Sequence, residues 1–237
     1  MQTIETNSKM LKAFQKNKEI LYLAADEFGA KVSEELARTW AGTVIKIENG
    51  THPNNWPWAD LIVLVIGYER PHIAETVEQV AYRWNVPWFP IIARPTEIQI
   101  GPIIKPKITP CYSCVERRRR QHGTAHSADQ GIPQGLSRAY SILEIQIALV
   151  AAISNWELYN LCNHSGDSSE RANARLLDLV TGTLTSHPVI GIDQCKRCGG
   201  RFGEKIENQN KLWQSLMSSI ENHSLENTIV NKSTDTG

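Results

Sequence analysis

Four of the five cysteines in this 237-residue chain fall into two C-x-x-C hooks, Cys111-Tyr112-Ser113-Cys114 and Cys195-Lys196-Arg197-Cys198. A long insertion, Val115 to Gln194, lies between them. Each hook presents two sulfurs from one turn, so hooks that meet in space supply four thiolates in a tetrahedron. Zn²⁺ prefers that set, and four protein ligands leave no open position, so the expected ion is structural and does no hydrolysis. The flanks agree, because Pro110 and Gly199-Gly200 are turn formers and Lys196 and Arg197 offset the negative charge of a Zn(Cys)₄ centre. A redox dithiol or a pair of disulfides is the competing reading; the cationic insertions in the second hook favour the metal. The expected ligands are therefore Cys111, Cys114, Cys195 and Cys198, and the hooks must be brought together by whatever folds between them.

Composition narrows the partners. Lys plus Arg and Asp plus Glu both number 25, so the net charge is zero. That balance gives no general attraction to nucleic acid or to an anionic membrane. Residues 1 to 18 carry no apolar run of the kind a signal peptide needs. The longest apolar run, Leu61 to Gly67, has the length of a strand and falls far short of the ~20 residues of a membrane helix. The expectation is a cytoplasmic protein, where reduced thiolates are available to a metal.

Read in order, a polar arm (1–17) leads to Glu19 to Ala25, a buried strand ending in a turn at Asp26 to Gly29. Ala30 to Trp40 places Val32, Leu36 and Trp40 on one helical face. Thr43 to Ile47 reads as a second strand, and Asn49-Gly50 with Pro53 to Pro57 as a loop. Asp60 to Gly67 is a continuous apolar strand of the parallel, doubly covered kind. Pro71 opens a helix with Ile73, Val77, Val80, Ala81 and Trp84 as its stripe. Val86 to Ile92 and Ile98 to Pro102 read as further strands. This alternation predicts an α/β fold, a Rossmann-like open sheet over 18–110.

From residue 111 the texture predicts a helical half, 111–221, closed by the cysteine site. Val115 to His122 reads as a short basic helix and Gly123 to Gly135 as a polar loop. Leu136 to Leu161 reads as a long, mostly buried helix, and Ser168 to Val180 as another, with Glu170, Arg171 and Arg175 on its wet face. A marginal amphipathic helix is expected around 204–221, and a disordered tail over 222–237.

The first strand-turn-helix is where such folds hold a nucleotide, by glycines that let backbone amides approach phosphate. Here the turn reads Ala24-Ala25-Asp26-Glu27-Phe28-Gly29, with one glycine and two carboxylates where phosphates would lie. Like charges there oppose binding, so no nucleotide is expected at this turn.

Several strings then carry a resemblance. Trp84-Asn85-Val86-Pro87-Trp88, Ile100-Gly101-Pro102, and Thr109-Pro110-Cys111-Tyr112-Ser113-Cys114 followed by Glu116-Arg117-Arg118 resemble the ThiF-like family. That family contains the ubiquitin-activating-type adenylating enzymes. Within it, the chain looks like the subunit of azoline-forming peptide cyclodehydratases that partners a YcaO-family enzyme, over roughly Lys18 to Phe202. The resemblance implies biosynthesis of ribosomally made, modified peptides of the microcin or bacteriocin kind. In such complexes the YcaO-family partner binds ATP, while the ThiF-like subunit, without ATP chemistry of its own, helps bind the precursor and stimulates the partner. It further implies a homodimer within a larger assembly. Relatives often carry an N-terminal winged-helix domain that binds the leader peptide. The first strand here begins near Lys18, so leader recognition is expected to reside in a separate protein. No catalytic residue is assigned to this chain. The alternatives are an ATP-dependent adenylating enzyme and a plain zinc-stabilised binding module.

Other residues receive the plainer reading. Cys162 beside His164 reads as a packed thiol, because residues two apart on a helix do not face each other. His122 and His126 are assigned to a surface loop. The run Arg117 to Arg120 reads mainly as a solvated face, with Arg117 and Arg118, together with Trp56 and Trp58, as the residues expected to touch a partner.

Overall fold

The computed structural model describes residues 18–47, 56–67, 70–121, 143–163 and 172–199. The polar arm, the loop at 123–135, His122, His126, His164, the helix expected at 204–221 and the tail all lie outside the described residues. Seven strands form one sheet in the order β2-β1-β3-β4-β5-β6-β7. Parallel strands make up its first part: β1 (Ile20–Ala24), β2 (Gly42–Lys46), β3 (Leu61–Ile66) and β4 (Trp88–Ala93). The rest is antiparallel: β5 (Glu97–Ile100), β6 (Asn173–Asp178) and β7 (Leu184–Pro188).

Strands β1, β3 and β4 are buried along their whole length, as their unbroken apolar runs require of strands covered on both faces. Their side chains separate with a period of two. Tyr22, Val63, Val65, Phe89 and Ile91 join α1 (Glu27–Thr39) and α4 (Glu144–Asn163) in one core. Leu21, Leu23, Ile62, Leu64, Trp88 and Ile92 join α2 (Pro71–Trp84) in a second core on the opposite face. Helix α1 is tied to α4 through Trp40, whose indole donates to Asn155 Oδ1 at 2.9 Å. The Trp40 carbonyl in turn accepts from the Tyr22 hydroxyl at 2.7 Å. Close contact at the start of α1 depends on Gly29. A β-carbon there would meet the Val65 carbonyl oxygen at 2.5 Å, which backbone atoms cannot relieve by a rotamer change. Gly29→Ala is expected to destabilise the fold by about 1–3 kcal/mol, read as a lowered denaturation midpoint.

Downstream of residue 110 the architecture departs from the sequence expectation. The stretch from Ser168 to Val180 is not a helix where it is described: Asn173–Asp178 is strand β6, paired with β5 on one side and β7 on the other. Good helix formers at spacings of three and four read locally as a helix. The two neighbouring strands supply the backbone partners that override this preference. Strand β7 is exposed throughout and Leu184 is its single large apolar side chain, so no apolar pattern announces it. The half after residue 111 is therefore not all-helical, and the sheet of the first half continues into it. Arg175, expected on a wet helical face, pairs instead with Glu157 of α4. Helix α4 buries Ile147, Val150, Ala151 and Leu158, while Ile145, Leu149 and Trp156 face outward, so it is less buried than its composition suggested.

Candidate metal centre

The first hook is set by the start of α3 (Tyr112–Gln121), with Cys111 just before it and Cys114 in its first turn. Unpaired amides at a helix N-terminus favour negative charge, so this is a good place for thiolates. The second hook follows β7 and an extended stretch. Its turn is closed by the Cys195 amide on Ile192 O at 3.2 Å and the Gly199 amide on Cys195 O at 2.8 Å. The insertion between the hooks thus reaches the sheet edge and returns.

The four sulfurs come together. Cys111 lies 3.7 Å from Cys114 and 3.6 Å from Cys195, and Cys114 lies 3.6 Å from Cys198. All four lie within 4.8 Å of one another, and three of the four residues are buried. A tetrahedron with Zn–S bonds of roughly 2.3 Å has edges of roughly 3.8 Å, so the donor set fits the ion. It does not fit disulfides, whose sulfurs sit about 2.05 Å apart. The Cys111 thiol donates to Cys114 and the Ile192 amide points at the same sulfur from 3.4 Å, and together they lower the Cys114 thiol. The same hydrogen bond, with burial, pushes Cys111 up. Four cysteines, with no fifth donor among the described residues, make a site that could hold a metal ion such as zinc.

Sequence reasoning missed the group that supports this centre. Glu78 of α2 is fully buried and accepts from the Tyr112 amide at 2.5 Å and from the Ser113 hydroxyl at 3.0 Å. Arg197, inside the second hook, pairs with the same carboxylate at 3.2 Å and lies over the Tyr82 ring at 5.9 Å. Glu78 therefore caps α3 and binds the second hook at once. Burial pushes its carboxyl up, against the pull of Arg197, the Ser113 hydroxyl and the two amides. The signal was present: Glu78 follows Ala74 by four and precedes Ala81 by three, inside the buried stripe of α2.

The arginine run splits. Arg117 and Arg120 are exposed. Arg119 turns inward to Glu116 at 2.9 Å, and Glu116 also takes buried Arg94 at 3.3 Å. Arg118 donates to Gln121 Oε1 at 3.2 Å and to the Gly191 carbonyl at 3.4 Å. The four arginines thus do not form a single solvated face. Trp56 packs edge-on against Trp84 with ring centroids 6.3 Å apart, whereas Trp58 is 71% exposed. Cys162 donates to the Leu158 carbonyl at 2.9 Å, and burial raises its thiol to about 11, well away from a reactive thiolate.

The crevice between β1 and β3, where the strand order reverses, is the usual ligand position of an open α/β sheet. Here Asp26 occupies it. Its carboxylate accepts from the Gly29 amide at 2.9 Å and from the Gly67 amide at 2.7 Å, so two donors that could cradle an anion are already engaged. A β-carbon on Gly67 would meet that carboxylate at 2.7 Å. Asp26→Ala removes the cap of α1 and leaves the Gly67 amide without this acceptor, an expected loss of about 1–2 kcal/mol by thermal or chemical denaturation.

This fold is shared with solved structures of low sequence identity. The heterocyclase TruD matches at 16% identity with a TM-score of 0.55, over 81% of this chain and 29% of that one. The E. coli microcin synthetase McbBCD complex matches at 17% identity with a TM-score of 0.52, over 76% of this chain and 67% of that one. E. coli MccB, solved with MccA-N7isoASN and with ATP, matches at 15% identity with a TM-score of 0.54, over 80% of this chain and 69% of that one. At such identities the likeness is one of fold, and the chain spans less than a third of the heterocyclase. No protein-family model matches the chain. No curated protein matches it in sequence. None of the helices among the described residues is long and apolar enough to cross a membrane.

Proposed function

We propose that this chain is a scaffold and activator subunit of a peptide cyclodehydratase, a ThiF-like partner of a YcaO-type, ATP-dependent enzyme. The complex would form azolines from Cys, Ser or Thr residues of a ribosomally synthesised precursor peptide. The observation that carries this reading is the Asp26 carboxylate on the Gly29 and Gly67 amides, in a fold shared with a heterocyclase and a microcin synthetase. An anion arriving there would meet a fixed negative charge, so the chain's contribution is binding and positioning while the partner handles ATP. Zinc held by Cys111, Cys114, Cys195 and Cys198 would lock α3 to the stretch after β7, a structural task. Trp56, Trp58, Arg117 and Arg118 are the contacts assigned to the partner, Trp58 and Arg117 being exposed and Trp56 and Arg118 half-buried. A homodimer inside a larger assembly and a cytoplasmic location complete the reading.

The decisive experiment adds the zinc-loaded chain to a purified YcaO-type cyclodehydratase and its precursor peptide. ATP turnover and cyclisation should rise with the amount of chain added and saturate; a flat response over a wide concentration range counts against the activator role. A second reading, an adenylating enzyme, draws on the fold shared with MccB, which has been solved with ATP. Calorimetric titration of Mg-ATP into the chain alone separates the two. The activator reading expects no one-site heat, and micromolar binding would favour adenylation.

A further inference from the structure

A cavity of 460 Å³ lies between α3 and the β5–β7 end of the sheet, outside both the cysteine centre and the Asp26 crevice. Its size falls in the range of small-molecule sites, roughly 300–1,000 Å³. Val115, Leu176 and Ile190 give it an apolar wall, and Gln99, Arg118, Arg119 and His187 provide its polar groups. Their state of engagement differs. His187 already bonds the Thr185 hydroxyl at 2.9 Å through Nε2, and Gln99 accepts from Arg94 at 3.0 Å and donates to Gly101 O at 2.9 Å. The neighbouring Arg119 has its carboxylate in Glu116.

Arg118 is different. Its two terminal nitrogens meet only a neutral amide oxygen and a backbone carbonyl, and its Nε is buried with no hydrogen-bond partner. Arg118 lines the cavity half-buried and without a carboxylate partner among the described residues, so its terminal N–H groups can take an anion brought into that cavity. We propose that this cavity binds a carboxylate carried next to an apolar group, with Arg118 as the partner of the anion.

The chemistry selects the class of ligand. A carboxylate brings one charge and two acceptor oxygens in a plane, which match the N–H fork of a single guanidinium. Phosphate would need more donors than Arg118 supplies, because the other polar groups of the lining, Arg119, His187 and Gln99, are already engaged. Peptides are the natural source of a carboxylate beside an apolar side chain, either at a free C-terminus or on an acidic residue. His187 and Pro188 belong to β7, the last strand of the sheet, so a peptide entering the cavity would run beside a strand that has one neighbour only among the described residues. The site shares Arg118 with the contacts assigned to the enzyme partner, and the titrations below use this chain alone, so their failure and that of the cyclodehydratase reading are told apart.

Three probes test it by calorimetry and amide NMR on the zinc-loaded full chain: N-acetyl-leucine, its uncharged amide N-acetyl-leucinamide, and N-acetyl-aspartyl-leucinamide. At least one of the two acids should bind and shift the amides of Val115 and Ile190, with the uncharged amide at least roughly tenfold weaker. Preference for N-acetyl-leucine assigns a C-terminal carboxylate, and preference for the aspartyl probe an internal acidic residue. Arg118→Met should weaken the acid by roughly tenfold or more while leaving the amide unchanged. Leu176→Trp, which fills the space and keeps the arginine, should weaken all three, and it decides alone if Arg118→Met does not fold. Equal affinity for acid and amide, wild-type affinity in the folded variants, or no binding of either acid in the millimolar range would overturn the proposal.

Discussion

Removing the metal, or replacing Cys111 or Cys198 by serine, is expected to unfold α3 and the stretch from Val189 to Gly199. The reason is that, beside the metal, only the Glu78–Arg197 pair and two hydrogen bonds, from Arg118 to the Gly191 carbonyl and from the Ile192 amide to Cys114, join them among the described contacts. The cysteine cluster is a small core of its own, with Tyr82 and Ile192 packed beside it, separate from the two large cores on the sheet faces. Binding free energy at a structural zinc site is folding free energy, about 10–16 kcal/mol in isolated zinc-finger peptides near pH 7. That is as large as the ~5–15 kcal/mol by which a typical domain is stable, so the loss should be decisive locally even if the parallel sheet persists. Elemental analysis should give one zinc per chain. Chelation should abolish the protease resistance of α3, with the circular dichroism of the parallel core retained. Serine variants that remain as protease-resistant and soluble as the native chain after chelation would remove zinc from the account of this fold.

The second large effect concerns Glu78. Glu78→Leu removes the acceptor for the Tyr112 amide and the Ser113 hydroxyl and leaves Arg197 without its carboxylate. Breaking a buried ion pair from one side costs about 3–5 kcal/mol, and Glu78→Leu also takes the cap from the start of α3. Arg197→Met should cost less, about 1–3 kcal/mol, because the arginine is partly exposed and Glu78 keeps its helix-terminal donors. Both variants loosen the frame that holds the two hooks, so zinc should pass to a competing chelator faster than from the native chain. Denaturant midpoints and the chelator transfer rate measure the two consequences separately. If Glu78→Leu matches the native chain in both, Glu78 is a bystander to the centre.

How much of this was legible beforehand differs along the chain. Leu61 to Gly67 and Glu19 to Ala25 declare themselves, because only a strand covered on both faces uses so long an uninterrupted apolar run. Helices α1 and α2 show their stripes at a spacing of about 3.6 residues. The hooks announce a four-sulfur site because the residue type and the two-residue gap are nearly sufficient conditions. Strand β6 was misread, since its leucines and arginine suit a helix equally well and only its pairing with β5 and β7 selects the extended form. Arginines 117 to 120 looked alike, and their different fates follow from which of them α3 turns toward Glu116, Gly191 or water.

Local periodicity and the chemistry of single residue types therefore settle the parallel sheet, its two flanking helices and the identity of the sulfur donors, since each depends on neighbours a few positions away. The antiparallel extension, the carboxylate of Glu78 beneath both hooks, the Asp26 side chain in the crevice and the place of Arg118 at the cavity wall arise from contacts between distant segments. Such contacts are chosen by packing and hydrogen-bond satisfaction over the whole chain, and no window of sequence contains them.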